Sequence, residues 1–277
     1  MHHPIDPKRA LACAVKAARA VGKLMRKNLN SEKKINSTTA HDIKLDLDVR
    51  SQKLIGKILA AEFPRVALLG EEGITGNPDA SARWVVDPID GTVNFTYGIP
   101  HACISIALQI KVSREEPYDP DSNPDSIYPD DFITTVGVVY DPFSDELWTA
   151  IRDQPARLNG KIIHVSDRHR LREAIVSIGF AKTHTSLENT LPYFNQLVRR
   201  VRKVRIMGAA ALALTYVASG RFDAYIERGI RLWDIAAGGL IVECAGGEFW
   251  NFPIKGKYAY GMITSNGRLR KKLEAIR

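Results

Sequence analysis

The chemistry in this chain is densest at Asp87-Pro88-Ile89-Asp90-Gly91-Thr92. The segment follows the apolar run Trp84-Val85-Val86, so two carboxylates stand three residues apart at the end of a predicted strand. Pro88 fixes its own backbone, which lets Asp87 and Asp90 converge instead of fluctuating. Gly91 allows close backbone approach by a ligand, and Thr92 can open a helix whose free N–H groups suit phosphate. Convergent carboxylates suit a hard divalent cation, and magnesium is usually held by a few carboxylates together with substrate phosphate. The same residues would also serve as a capped turn with Asp as turn former.

Two more acidic points have a similar placement. Gly70-Glu71-Glu72-Gly73 closes the short apolar run Val66–Leu69, and Asp234 stands at the predicted start of a helix over 233–245. Taken alone, the first reads as a surface turn and the second as a helix N-cap. Taken together, acids recur at element ends, where they repel one another unless cations neutralise them.

The elements that must position these acids follow from periodicity. Residues 6–29 are predicted helical, with Asp6 as N-cap, Pro7 in the first turn and an apolar stripe through Leu11, Ala14, Ala18, Val21 and Met25. Residues 48–62 form a second predicted helix, entered through an alternating stretch over 42–48. Runs at 66–69, 84–86, 101–110, 132–140 and 145–150 read as an antiparallel sheet on those helices. After Gly160 the texture changes to a strand at 175–178, helices at 188–200 and 208–219, a strand at 222–226 and the helix at 233–245. The expected division is an α+β unit over 1–150 and an α/β unit over 151–277. Residues 113–131 hold four prolines, seven acids and one arginine, and are expected to form a solvated inserted loop.

Composition narrows the function classes. The chain has 277 residues and a formal charge of +8, which suits steering of a phosphorylated substrate and leaves nucleic-acid binding as an alternative. Cys13, Cys103 and Cys244 are far apart, and His101 and His184 lack spaced partners, so a zinc site is not expected. No apolar run approaches the ~20 residues that span a bilayer, so no membrane role is expected, and the cytoplasm is the default compartment. Trp84 and Trp233 read as core anchors.

The segments GEEG (70–73), WVVDPIDGTVNF (84–95) and WDIAAGGLIVECAGG (233–247) resemble the three signature segments of the inositol monophosphatases, and the resemblance runs from about residue 6 to 270. That superfamily also contains fructose-1,6-bisphosphatases, nucleotide 3'-phosphatases and histidinol-phosphatases. The resemblance implies a layered αβαβα sandwich, a homodimer and two or three Mg2+ ions. Their ligands would be the side chains of Glu71, Asp87, Asp90 and Asp234 and the carbonyl of Ile89. It also implies that Glu71 holds the attacking water, with Thr92 and Asp48 orienting it. The substrate would meet Asp90, Gly91, Thr92, Gly208, Ala209, Ala210, Glu227 and Asp234, with Glu227 favouring a polyol phosphate. Arg205 would orient that wall or pair with an acid. Leu45 stands where the family usually has Thr, and Ser37 where a lysine is common.

The expected activity is Mg-dependent hydrolysis of inositol monophosphate or a related sugar or polyol phosphate by metal-activated water. One alternative is the same chemistry on histidinol phosphate, fructose 1,6-bisphosphate or adenosine 3',5'-bisphosphate. An alternative of another class is a protein that binds RNA or the transcription machinery and keeps vestigial phosphatase activity.

Overall fold

The computed structural model describes residues 5–31, 33–38, 43–77, 79–113, 127–180 and 184–276. Helix α1 (Pro7–Asn28) begins where the Asp6 side chain accepts the Lys8 N–H, with Pro7 in the first turn. Its buried face is rich in alanine, which lets it lie close to the sheet beneath. Strands β1 (Ile35–Thr38) and β2 (Ile43–Leu45) pair antiparallel and lead into α2 (Asp46–Glu62).

The next strands are β3 (Ala67–Gly70), β4 (Gly73–Thr75), β5 (Ala82–Asp90), β6 (Cys103–Lys111), β7 (Phe132–Asp141), β8 (Glu146–Ile151), β9 (Arg157–Leu158) and β10 (Lys161–Ile162). They form one eight-stranded sheet in the order β10-β9-β8-β7-β6-β5-β3-β4. The short helix α3 (Thr92–Thr96) follows β5. A five-stranded sheet, in the order β12-β11-β13-β15-β14, is built from β11 (Ile175–Phe180), β12 (Lys203–Arg205), β13 (Ala224–Arg231), β14 (Glu248–Pro253) and β15 (Ala259–Ser265). The remaining helices are α4 (His184–Arg200), α5 (Ala210–Ala218), α6 (Leu232–Cys244) and α7 (Arg270–Glu274).

Three apolar cores hold these pieces in layers. Trp84, Val86, Ile104, Ile106, Val136 and Val138 of the large sheet face α1 and α2. Their strand neighbours Val85, Ala107 and Val139 face the other way, onto α5 and α6. The same central core takes in Tyr225, Phe249 and Met262 of the small sheet, while Val176, Ile178 and Ala224 face α4 and α7. The architecture is therefore the expected αβαβα sandwich. Helix α6 is apolar almost all round, as a helix held between two sheets must be. It comes so close to β7 that a Cβ on Gly137 would sit 2.8 Å from the Ala237 carbonyl oxygen.

Several expectations need correction. Strand β5 does not stop at Val86 but continues to Asp90. Against β6, Asp87 pairs with Ser105 and Asp90 with Cys103, so β5 carries one extra residue there. In a regular strand residues three apart point to opposite faces; one bulged residue returns them to the same face. Pro88, which has no N–H to give, sits inside that bulge. The large sheet is also not wholly antiparallel, since β3 and β5 run parallel. Within the expected solvated loop, residues 114–126 lie outside the described residues. The end of that loop is anchored: Tyr128 is buried against Tyr260, and Asp130 pairs with Arg83 at 2.6 Å. Trp84 is buried in the core, and Trp233 is half-buried, packed against the central core beside Tyr258. No helix among the described residues is long and apolar enough to cross a membrane.

Candidate active site

The bulge in β5, the first turn of α6 and the start of α5 meet at one place. Asp87 and Asp90 are 3% and 7% exposed. Asp87 Oδ1 accepts the Ile89 N–H at 2.9 Å, which fixes its rotamer. Asp90 accepts the N–H groups of Ala210 at 3.0 Å and Ala211 at 2.7 Å. It thus caps α5, whose own N-cap residue is Ala209 and has no side-chain oxygen to offer. Asp234 is not the N-cap of α6, which is Arg231, but the third residue inside the helix, and its carboxylate reaches back to accept the Arg231 N–H at 2.9 Å. One carboxylate oxygen from each of Asp87, Asp90 and Asp234 lies within 4.8 Å of the others.

These three open into a cavity of about 390 Å³ that Glu71 also lines. Ile89, Gly91, Thr92, Gly208, Ala209, Ala210 and Glu227 line it too. Asp48 is not among its lining residues: it is buried near the start of α2, with Oδ2 accepting the Leu45 N–H at 2.7 Å. The Thr92 hydroxyl donates to the Ile89 carbonyl at 2.8 Å. Gly91 has φ +88°, and a Cβ there would also come within 2.9 Å of the His101 carbonyl oxygen, so the position requires glycine.

The electrostatics are one-sided: among the described residues no Lys, Arg or His lines the cavity. Burial pushes the Asp87 carboxyl well above its usual range, and the charges of Glu71, Asp90 and Asp234 add to that. Burial raises Asp90 to about 6 against the opposing N–H groups of Ala210 and Ala211. Asp234 is raised to about 8, first by burial and then by the charge of Asp90. Glu227 is raised to about 7 by burial, opposed by its hydrogen bond from Tyr225. Left to themselves these acids resist being ionised together. An all-oxygen set of this kind fits a hard divalent cation, which supplies the missing positive charge.

Four further residues, none marked by a motif of its own, complete the site. Asn94 Nδ2 donates to the carbonyls of His101 and Met207, each at 2.9 Å, and so ties α3 to the loop before α5. The Ser105 hydroxyl donates to the Trp233 carbonyl at 3.0 Å and holds the head of α6 to β6. Ser177 and Tyr225 line the cavity from the small sheet. A Tyr-x-Glu spacing on a strand puts both side chains on one face, and this pattern was available at Tyr225 and Glu227. Arg205 is exposed; among the described residues its guanidinium reaches the Val204 carbonyl, and what it gives the wall is its own carbonyl, which accepts from Ser177. His101 packs edge-on against Tyr216, and burial lowers its pKa.

The chain is similar to known proteins over nearly its whole length. The model of the "Inositol monophosphatase family" matches residues 6–117 and 130–272, and its gap falls in the acid- and proline-rich segment. The chain is 37% identical over 281 residues to the "Nus factor SuhB" of Xylella fastidiosa, covering 97% of this chain and 94% of that one. It is 36% identical over 248 residues to "Inositol monophosphatase 1" of Solanum lycopersicum, covering 87% and 84%. The solved structure of the extragenic suppressor protein suhB from Bartonella henselae superposes with a TM-score of 0.81 at 30% identity, covering 96% and 97%. With the family model spanning nearly the whole chain and the acid cluster inside its matched segments, the chain belongs to the inositol monophosphatase family.

Proposed function

We propose that this protein is a magnesium-dependent phosphomonoesterase acting on inositol monophosphate or a related sugar or polyol phosphate. The observation that carries this reading is a cavity lined by Glu71, Asp87, Asp90, Glu227 and Asp234, with no basic side chain among the described residues that line it. An anionic ester enters such a cavity only with cations. Glu71, Asp87, Asp90, Asp234 and the Ile89 carbonyl would hold two or three Mg2+ ions. When bound, these supply charge for the phosphate, acidify the attacking water and stabilise the leaving alkoxide.

The chain's own groups do the rest by positioning. Glu71 would orient the water, with Thr92 beside it and Asp48 bracing the approach to α2. The N–H groups of Gly91 and Thr92 would bind phosphate oxygens. Glu227, with Gly208, Ala209 and Ala210 opposite, would receive the hydroxyls of the leaving group. A homodimer in the cytoplasm completes the proposal; light scattering of the purified protein at twice the chain mass would support the dimer.

The test is phosphate release from inositol 1-phosphate, histidinol phosphate, fructose 1,6-bisphosphate and adenosine 3',5'-bisphosphate, with and without Mg2+. Fastest turnover of inositol 1-phosphate supports the reading, and far faster turnover of another ester transfers the same chemistry to that substrate.

A second reading, nucleic-acid binding, is favoured by one further observation. Arg199, Arg200, Arg202, Lys203 and Arg205 are all exposed at the end of α4 and along the edge strand β12. Some relatives carry the name Nus factor. Salt-dependent RNA binding that survives Asp90→Asn would support this role, and no binding at low salt would remove it.

A further inference from the structure

One wall of the cavity is the inner face of the β11–β13 pair. Ser177 lies beside Tyr225 in register and Gly179 beside Glu227, and all four line the cavity. Tyr225 and Glu227 stand two apart on β13, so they share a face. Tyr225 is 3% exposed, and its hydroxyl donates to Glu227 Oε2. Among the described residues no cationic side chain pairs with this carboxylate. Across the strand pair, a methyl group on Gly179 would overlap the carboxylate. Glu227 is therefore folded over Gly179 and tethered at one oxygen.

We propose that Tyr225 is a positioning residue for substrate recognition: it ties one oxygen of Glu227, so that the other is held out as an acceptor for leaving-group hydroxyls. Gly179 supplies the space this posture needs. The proposal rests on the cavity being a polyol-phosphate site. Its consequence is selectivity. A leaving group with hydroxyl donors gains from a fixed, desolvated acceptor, whereas an ester without hydroxyls gains nothing. A glutamate free to swing would lose part of that gain by entropy and by turning away.

The test compares kcat and KM for inositol 1-phosphate and for p-nitrophenyl phosphate, an aryl ester without hydroxyls, at saturating Mg2+. The proteins are the wild type, Tyr225→Phe, Glu227→Gln, the double variant and Gly179→Ala. Tyr225→Phe is expected to lower kcat/KM for inositol 1-phosphate roughly tenfold, mainly through KM, and to change the aryl ester less than about twofold. Glu227→Gln should do the same, the double variant should lose no more than Glu227→Gln alone, and Gly179→Ala should follow the pattern while melting like the wild type. Equal losses on both esters, additive losses in the double variant, or an indifferent Tyr225→Phe would overturn the inference. A wild type that releases phosphate from neither ester would instead remove the functional reading, and this inference with it.

Discussion

Asp223 and Asp90 are both buried carboxylates, and the chain treats them in opposite ways. Asp223 is 0% exposed and accepts the Ile175 N–H and Arg168 Nε, each at 2.7 Å, and the Ser166 hydroxyl. A guanidinium from the same chain matches its charge. Asp90 is 7% exposed and receives backbone N–H groups, but among the described residues the charged groups around it are acids: Asp87, Asp234 and Glu227. A buried carboxylate that the protein neutralises holds the fold together, and a cluster that it leaves short of positive charge is completed from solution. The difference separates a structural acid from a ligand-holding one without reference to motif.

The comparison can be broken by exchanging the two effects. Asp90→Asn keeps an oxygen to cap α5 but removes the charge. Activity is expected to fall about a thousandfold, read as phosphate release, while the melting temperature stays near that of the wild type. Asp223→Asn should do the reverse. It leaves Arg168 without its counter-charge at a cost of roughly 3 kcal/mol, read by urea denaturation, while turnover per folded molecule is unchanged. If Asp223→Asn is inactive though folded, or Asp90→Asn unfolds, the distinction fails.

The pH dependence of the cation-free protein sharpens the same contrast. In the folded chain Asp90 is raised to about 6 and Asp234 to about 8, from an ordinary 3.8. The folded state then binds more protons than the unfolded state across that interval. Their contribution to stability is full below the unfolded value and is lost as pH rises through about 6 and then about 8. Protein treated with a chelator should therefore melt a few degrees lower at pH 8 than at pH 5. Added Mg2+ should remove most of that slope, and so should Asp234→Asn. A chelated protein with no slope would contradict the picture. The smallest expected effect is Ser105→Ala. It cuts one tie between β6 and α6 and should cost about 1 kcal/mol of stability in urea, with a modest loss of turnover.

How far the sequence carried this picture follows from where each signal lives. Asp87 and Asp90 were legible because their chemistry and their spacing lie within one short segment. The bulge that brings them to one face was not, because it is a property of the pairing with β6. The large sheet could be expected from alternation within β6, β7 and β8 and the sandwich from the resemblance, yet the parallel pairing of β3 and β5 leaves no mark on either strand alone. Asp234 and Glu71 read singly as a cap and a turn. Asp234 does serve the first turn of α6, but from its third position, accepting the N–H of the N-cap Arg231, so the local reading found the helix start and misplaced the cap. Asn94 and Asp90 act on residues more than a hundred positions away, and no local window holds both ends of such contacts. Strands β14 and β15 and helix α7 had no expectation at all, because the short runs around Trp250, Gly261 and Leu273 lack a clear period.

The measurement that bears most directly on the account is phosphate release from inositol 1-phosphate by the purified wild type and Asp90→Asn, each with Mg2+ and with excess chelator. The account predicts release by the wild type with Mg2+ alone, and loss of about three orders of magnitude in the other three reactions. Release that persists in chelator, or in Asp90→Asn with Mg2+, would contradict it.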